Sequence, residues 1–338
     1  MLGKVDIVSR GPAALLPEPS TAPPGDPHAV VDALTLLEFA RCPKRLVSRQ
    51  GPPEPALSIQ VNALRHVVLA PAAFDKRFRV RPDTYTVSVL TCPSCKSTSA
   101  ASVCRKCGLR RANVTSTRPW ASGAESCRLW REQAERDGVQ PLRSDQQAAL
   151  KLAFGRLAQD PYVAPLLADN LGPLRLEGAW HDAETGLDIP VQALVDFVPP
   201  PTSQYWDCIA FLWGTQDASP DSWTRSAYYG ALQMMAALAL DLFNAVQDEP
   251  RRRILFALSE TNPPFEVGRR LLTPDLVQQG RAQYQQWLTR YAQAVHQKVW
   301  PGYDPDADAR EAWTPVDVEP WMKDRPGSLG FVEKKVAA

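Results

Sequence analysis

The sequence predicts an α/β chain: a mixed central sheet with helices on its faces and a small four-cysteine ribbon inserted into it. Three observations predict this. Apolar segments follow the order helices, then β-β-β-α-β, then a helix. Two CxxC pairs lie close together inside a stretch without acidic residues. The 338 residues are 44% hydrophobic and 22% charged, which suits a globular protein with a sizeable core. The net charge of +1 gives no global field for nucleic acid, so any such contact must be local. No apolar run reaches the roughly 18 residues that a membrane span needs. With no signal-peptide pattern at its start, the chain is expected to be cytoplasmic, and cysteines outside the metal module to be free thiols.

Residues 1–30 are rich in proline, glycine and alanine and are expected to be flexible. A core domain is expected over 31–322, with the ribbon at 88–115 inside it and a flexible tail over 323–338. Apolar spacing predicts a helix over VDALTLLEFARCPKRLVSR and a second over 56–69, stopped by Pro71. FDKRFRVRPDTYTVSVL alternates as a strand. A helix is predicted over 124–137, and SDQQ at Ser144 opens another to about 159. Strands follow at 174–180, 187–198 and 208–213, the first two joined by the turn signal DAETG. Ser219-Pro220 opens one long helix to about 246. Strands at 253–260 and 265–271 precede a final helix from Thr273 to about 299.

Cys92-Pro-Ser-Cys95, eight residues, then Cys104-Arg-Lys-Cys107-Gly is the spacing of two zinc knuckles, which hold four thiolates around one structural Zn²⁺. Four thiolates close the coordination sphere, which argues against a catalytic zinc. Between Cys92 and Arg111 lie Lys96, Arg105, Lys106, Arg110 and Arg111 and no Asp or Glu. Thiolates and Zn²⁺ together subtract two charges, so roughly +3 remains locally, suited to phosphate. The other reading is a solvated ribbon that docks protein or only stabilises the insertion. RCPKR, with Lys44 and Arg45, and DKRFRVR are further basic stretches that could line a DNA groove or form ordinary solvated faces.

Several pieces of the chain between about residues 31 and 322 occur in the order found in one known family. They are ALRHVVLAPAAF (63–74), GAWHDAETGL (178–187), VQALVDFVP (191–199), QDASPDSW (216–223), SETNPPFEVGRRLL (259–272) and VWPGY (299–303). Together they resemble the exonuclease VIII-type exonucleases of phage recombination, a branch of the PD-(D/E)XK nucleases. The resemblance implies a nuclease-like core with its first metal-binding carboxylate at Asp196. His66 matches the family's N-terminal histidine, Gln233 a glutamine on the long helix, and Glu177 lies near an upstream glutamate. The family's Asp-x-Lys-Thr stretch falls on Phe211, Leu212, Trp213 and Gly214, and the histidine two residues before the glutamine is Ala231. The four-cysteine insertion is not expected in the family at large.

Hydrolysis on this fold requires Mg²⁺ held by carboxylates and a lysine beside the water. Phe211 and Trp213 share a strand face and are expected to point where metal and water should sit. Three readings stay open. The first is a catalytically degenerate exonuclease-like protein that binds DNA or a recombination, phage or host protein, with Asp196 and Gln233 as remnants. The second is an active Mg²⁺-dependent exonuclease whose site has migrated onto Asp196, Asp207 and Glu177. The third is an adaptor whose ribbon contacts a protein. The family assembles as ring-like oligomers around DNA, and the sequence leaves the assembly open.

Overall fold

A computed structural model describes residues 2–10, 26–48, 59–229 and 231–301. The chain starts with β1 (Leu2–Arg10), which lies antiparallel to a later strand, where sequence composition predicted a flexible segment. Val5 is buried and Leu2 and Ile7 pack against the core, so apolar side chains fix this strand. The proline-rich stretch that dominates the composition of 1–30 begins only after Arg10 and, at residues 11–25, lies outside the described residues, as does the expected tail at 323–338.

The first predicted helix is two: α1 (Ala33–Arg41) and α2 (Pro43–Ser48), divided at Cys42 because Pro43 cannot continue the preceding turn. Asp32 caps α1, its carboxylate accepting from Thr35 N–H at 2.8 Å. Then come α3 (Ile59–Leu69) and α4 (Pro71–Arg77). The predicted 74–90 strand is thus part helix, followed by β2 (Phe78–Val80) and β3 (Thr84–Thr91), separated around Pro82. An unpredicted strand, β4 (Ala112–Pro119), pairs along the whole of β3. Next are α5 (Glu125–Arg136), β5 (Gln140–Leu142), α6 (Ser144–Gln159) and the short α7 (Ala164–Ala168). β5 runs parallel to β2.

The central strands match the prediction closely. They are β6 (Leu174–His181), β7 (Asp188–Val195) and β8 (Cys208–Thr215). The DAETG turn closes through Asp182, whose carboxylate accepts from Thr185 N–H at 2.9 Å, with Gly186 at φ +69°. The long predicted helix is broken into α8 (Pro220–Tyr229) and α9 (Leu232–Ala245) around Ala231, which sits in the left-handed region at φ +48°. The chain then forms β9 (Arg253–Glu260), β10 (Val267–Leu271) and α10 (Pro274–Gln297), whose cap Thr273 accepts from Leu276 N–H.

Two three-stranded sheets, β1-β6-β7 and β10-β9-β8, are joined by the antiparallel bridge between Phe197 and Ala210. β8 and β9 are parallel and the other neighbours antiparallel, so the sheet is mixed as predicted. Alternation along β8 divides the core into two layers. Ile209 and Phe211 pack with Leu242 of α9 and Tyr291 of α10. Ala210 and Leu212 pack with Leu64 of α3, Leu150 of α6 and Leu166 of α7. Among the described residues no helix is long and apolar enough to cross a membrane.

α9 and α10 approach so closely at Gly280 that a Cβ there would lie 2.1 Å from the Gln233 carbonyl oxygen. Backbone cannot yield as a side-chain end can. Gly280→Ala is therefore expected to destabilise the fold by about 3 kcal/mol through forced separation of the helices. A urea titration checks this, and an unchanged midpoint would contradict the close contact.

Candidate functional site: a neutralised carboxylate and a four-cysteine arm

Asp196 follows the last residue of β7 and is 1% exposed. One carboxylate oxygen accepts from the Arg65 guanidinium of α3. The other accepts from the backbone N–H of Leu212 at 2.9 Å. Where a metal-dependent nuclease would present open carboxylate oxygens to Mg²⁺, this carboxylate has a fixed organic cation and a strand amide as partners.

Arg65 was not singled out in the sequence; its neighbour His66 was. α3 places them on different paths. The His66 ring turns towards Phe78, edge-on at 5.2 Å, with Nδ1 2.9 Å from the Asn62 carbonyl oxygen. Burial holds its pKa below the ordinary histidine value. The available signal for Arg65 was a lone arginine inside the apolar helix IQVNALRHVVL, a residue type rarely carried into a core without an anion to meet.

The remaining candidates do not gather around Asp196. Glu177 pairs across the sheet with Gln192 and Asp6. Gln192 is four residues from Asp196, so Glu177 lies roughly 13 Å away along the strands at about 3.3 Å per residue. Asp207, just before β8, forms an ion pair with Arg253, whose Nε donates to Oδ2 at 2.8 Å. That guanidinium holds the Asp207 carboxyl below the usual carboxylate range. Asp207 is five residues from Leu212, roughly 16 Å along the strand. A single migrated metal site on Asp196, Asp207 and Glu177 does not form. Gln233 sits between α9 and α10, donating to Gln283 Oε1 at 3.0 Å.

Phe211 and Trp213 also differ from expectation. Both turn to the α9 side of the sheet, where Phe211 stacks on Phe256 at 5.2 Å and Trp213 packs against the same core. Asp196 engages α3 on the other side, facing the positions of Ala210, Leu212 and Gly214. None of these three has an ionisable group. At Gly214 a Cβ would come within 2.9 Å of Val61, so α3 already occupies the space that a longer side chain would need.

Among the described residues, four cysteines are the one group of three or more potential metal ligands that meets. Their ligand atoms all lie within 4.8 Å of one another. Tetrahedral Zn²⁺ with bonds near 2.3 Å needs sulfur atoms roughly 3.8 Å apart, so the set fits. Each knuckle repeats one geometry. Lys96 N–H donates to the Cys92 carbonyl at 3.0 Å and Gly108 N–H to the Cys104 carbonyl at 2.8 Å. Lys96 and Gly108, each just after a second cysteine, have φ of +58° and +67°. Without metal the thiols titrate unevenly. The Ser97 hydroxyl and then the backbone amide of Cys107 bring Cys104 down to about 5, while Cys95 and burial push Cys107 up to about 11. One cation bound by all four removes that conflict. Cys42, Cys127 and Cys208 are buried free thiols, as expected.

The knuckles cap the β3–β4 hairpin. Its root is fixed by Trp120, which lies under Arg81 at 5.1 Å and meets Trp130 edge-on at 5.6 Å, and by Asp83, which accepts from the Ser144 hydroxyl at 2.7 Å. From Thr84 to Pro119 there are six Lys and Arg residues and no Asp or Glu, so no internal carboxylate neutralises the arm. Lys96, Arg105, Lys106, Arg110 and Arg118 are exposed. Arg111 is not part of that free set. It donates to Ser97 Oγ at 3.1 Å and to the Ala101 carbonyl at 3.3 Å, bracing one knuckle against the other. Thr84, Thr86, Ser88, Thr115 and Thr117 form an exposed hydroxyl face along the two strands. Lys44 is exposed on α2, against the α9–α10 layer rather than beside the arm, and the side chain of Arg45 lies outside the described residues.

No family model matches this chain, and no curated protein matches it. Among solved structures it is similar to a proposed exonuclease from Eubacterium rectale at 10% identity and a TM-score of 0.36, over 60% of this chain and 74% of that one. It is also similar to Rai1 from Scheffersomyces stipitis, solved with 3′-NADP⁺ and a calcium ion, at 7% identity and a TM-score of 0.26, over 70% of this chain and 58% of that one.

Proposed function

We propose that this protein binds nucleic acid through the β3–β4 arm and does not cleave it. The observation that carries the proposal is the acid-free, hydroxyl-rich arm with exposed Lys96, Arg105, Lys106, Arg110 and Arg118. Lys, Arg, Ser and Thr are among the side chains that make most contacts to phosphates and sugars, so the arm suits a backbone-directed grip. A structural Zn²⁺ held by Cys92, Cys95, Cys104 and Cys107 would hold the tip rigid. The Arg65–Asp196 pair supports the non-cleaving role, as does the absence, among the described residues, of a second carboxylate or a lysine beside it. The sequence pieces resembling exonuclease VIII-type enzymes are the basis for setting this role in phage recombination or phage–host conflict, with DNA as the nucleic acid.

The test is fluorescence anisotropy on labelled linear duplex DNA across a salt series, run beside a nuclease assay with Mg²⁺ and Mn²⁺. Binding is expected to fall steeply with salt. The combined Arg105→Glu, Lys106→Glu and Arg110→Glu variant is expected to flatten the slope of log K against log salt by about 3. No metal-dependent degradation is expected. Degradation lost in Asp196→Ala would overturn the non-cleaving role, and unaltered binding by the triple variant would overturn the arm's role.

A second reading rests on Val103 and Leu109 at the tip, 49% and 46% exposed. They give the ribbon an apolar spot suited to a protein partner. If DNA binding is absent while a protein co-purifies with wild type and is lost with Val103→Asp, the ribbon acts as an adaptor.

A further inference from the structure

We infer that a recess between the start of β9, α9 and the N-terminal end of α10 binds a phosphate group, free or carried on a small ester. The cavity is about 390 Å³ and is lined by Arg251, Arg252, Arg253 and Arg281, with Leu240 and Val277 among its apolar walls. It lies on the α9–α10 side of the sheet, away from Asp196 and from the four-cysteine arm.

Four arginines meet two carboxylates here. Arg253 is paired with Asp207. Arg281 grips Asp241 with Nε at 2.9 Å and Nη2 at 2.7 Å, and the Tyr284 hydroxyl donates to the same carboxylate at 2.7 Å. Two arginine charges remain in excess. Arg252 is exposed and has no carboxylate partner among the described residues. Arg251 is 6% exposed, and its Nη2 reaches only the Pro199 carbonyl at 3.2 Å. Its Nε and Nη1 have no hydrogen-bond partner. Its guanidinium lies 5.9 Å from the Phe243 ring, a weak substitute for an anion.

A buried guanidinium with unmade hydrogen bonds is unfavourable, and an oxyanion is the group that completes it. A phosphate dianion matches both the excess charge and the number of free donors. α10, 24 residues long, starts at the rim with Pro274, so the positive end of its dipole adds to the field, although Asp275 in its first turn offsets part of it. The apolar walls leave room for the organic part of an ester, in a volume typical of small-ligand sites.

Isothermal titration of the full chain with inorganic phosphate, with adenosine monophosphate and with adenosine tests this. Saturable binding by phosphate or by the monophosphate, and none by adenosine, is expected; the tighter of the two identifies the source of the phosphate. Arg252→Glu changes an exposed side chain, so it should leave thermal unfolding of the free protein unchanged and weaken binding about tenfold or more. Arg251→Gln is a second variant whose failure to fold would not affect that result. No saturable heat with either phosphate probe, equal binding by adenosine, or wild-type affinity in Arg252→Glu would overturn the assignment. DNA binding by the arm is scored separately with the arm variants, so either result stands without the other.

Discussion

Removing the metal from the four-cysteine tip is expected to unfold the β3–β4 arm while the core stays folded. A two-stranded hairpin has too little buried surface to stand alone, and along one face of this one the apolar side chains Tyr85, Val87 and Val89 are only partly buried. What holds its far end is the set Cys92, Cys95, Cys104 and Cys107, since the knuckles otherwise rest on a few backbone hydrogen bonds and the Arg111 brace. Metal binding and folding of such a unit are one equilibrium. The purified chain should contain one Zn²⁺. A strong chelator, or Cys104→Ser, should make cleavage by trypsin at Arg105, Lys106, Arg110 and Arg111 faster by about tenfold or more, because cutting tracks local opening. Far-ultraviolet circular dichroism should barely change, since the helices lie outside the arm. DNA affinity should fall with the same chelator titration. An arm as resistant without metal as with it would show that the cysteines are not its clasp.

That arm also shows where sequence reasoning was sufficient and where it was not. The cysteine spacing alone predicted the cluster, because two CxxC knuckles leave little freedom in how four sulfurs can meet. β4 went unseen because ANVTSTRP has only Val114 to mark an apolar side; its pairing with β3 supplies what its composition does not. The central strands and α10 were legible from periodicity and caps. The α8–α9 break was not, since the apolar pattern runs on across Ala231 while the backbone turns left-handed there. β1 was hidden by the proline-rich residues that follow it. At the site, the sequence placed Asp196 inside the strand 187–198 as a metal-binding carboxylate, whereas it lies just past the end of β7 with an arginine as partner, which the sequence could not give. Arg65 is 131 positions away, and only the packing of α3 over β8 brings the two together. The side-chain alternation of β8 was assigned correctly, but the face bearing Asp196 was not, so Phe211 and Trp213 were expected on the wrong side.

The Arg65–Asp196 pair yields the sharpest separation between stability and chemistry. Asp196 is 1% exposed and Arg65 20%, so the two partners are not equivalent. Arg65→Ala leaves a carboxylate inside the protein with only the Leu212 amide, and is expected to cost about 3–5 kcal/mol. Asp196→Asn retains an oxygen for that amide and leaves a guanidinium that can move towards water, so its cost should be smaller, about 1–3 kcal/mol. Combining Arg65→Ala with Asp196→Asn removes both charges and should recover most of the loss, giving a coupling energy of about 2 kcal/mol or more in a double-mutant cycle. Urea titrations of the four proteins measure it; additive losses would mean that the two side chains do not depend on each other. The same variants test the chemistry. If Arg65 merely blocked an otherwise intact metal site, Arg65→Ala would acquire Mg²⁺-dependent DNA cleavage. None is expected, because Ala210, Leu212 and Gly214 offer no second carboxylate and no lysine, and Val61 of α3 fills the space over Gly214. With Arg65 and the Leu212 amide as its partners, Asp196 ties the end of β7 to α3 and to β8. The arm and the arginine recess are then the surfaces whose proposed ligands remain to be measured, each with its own variants.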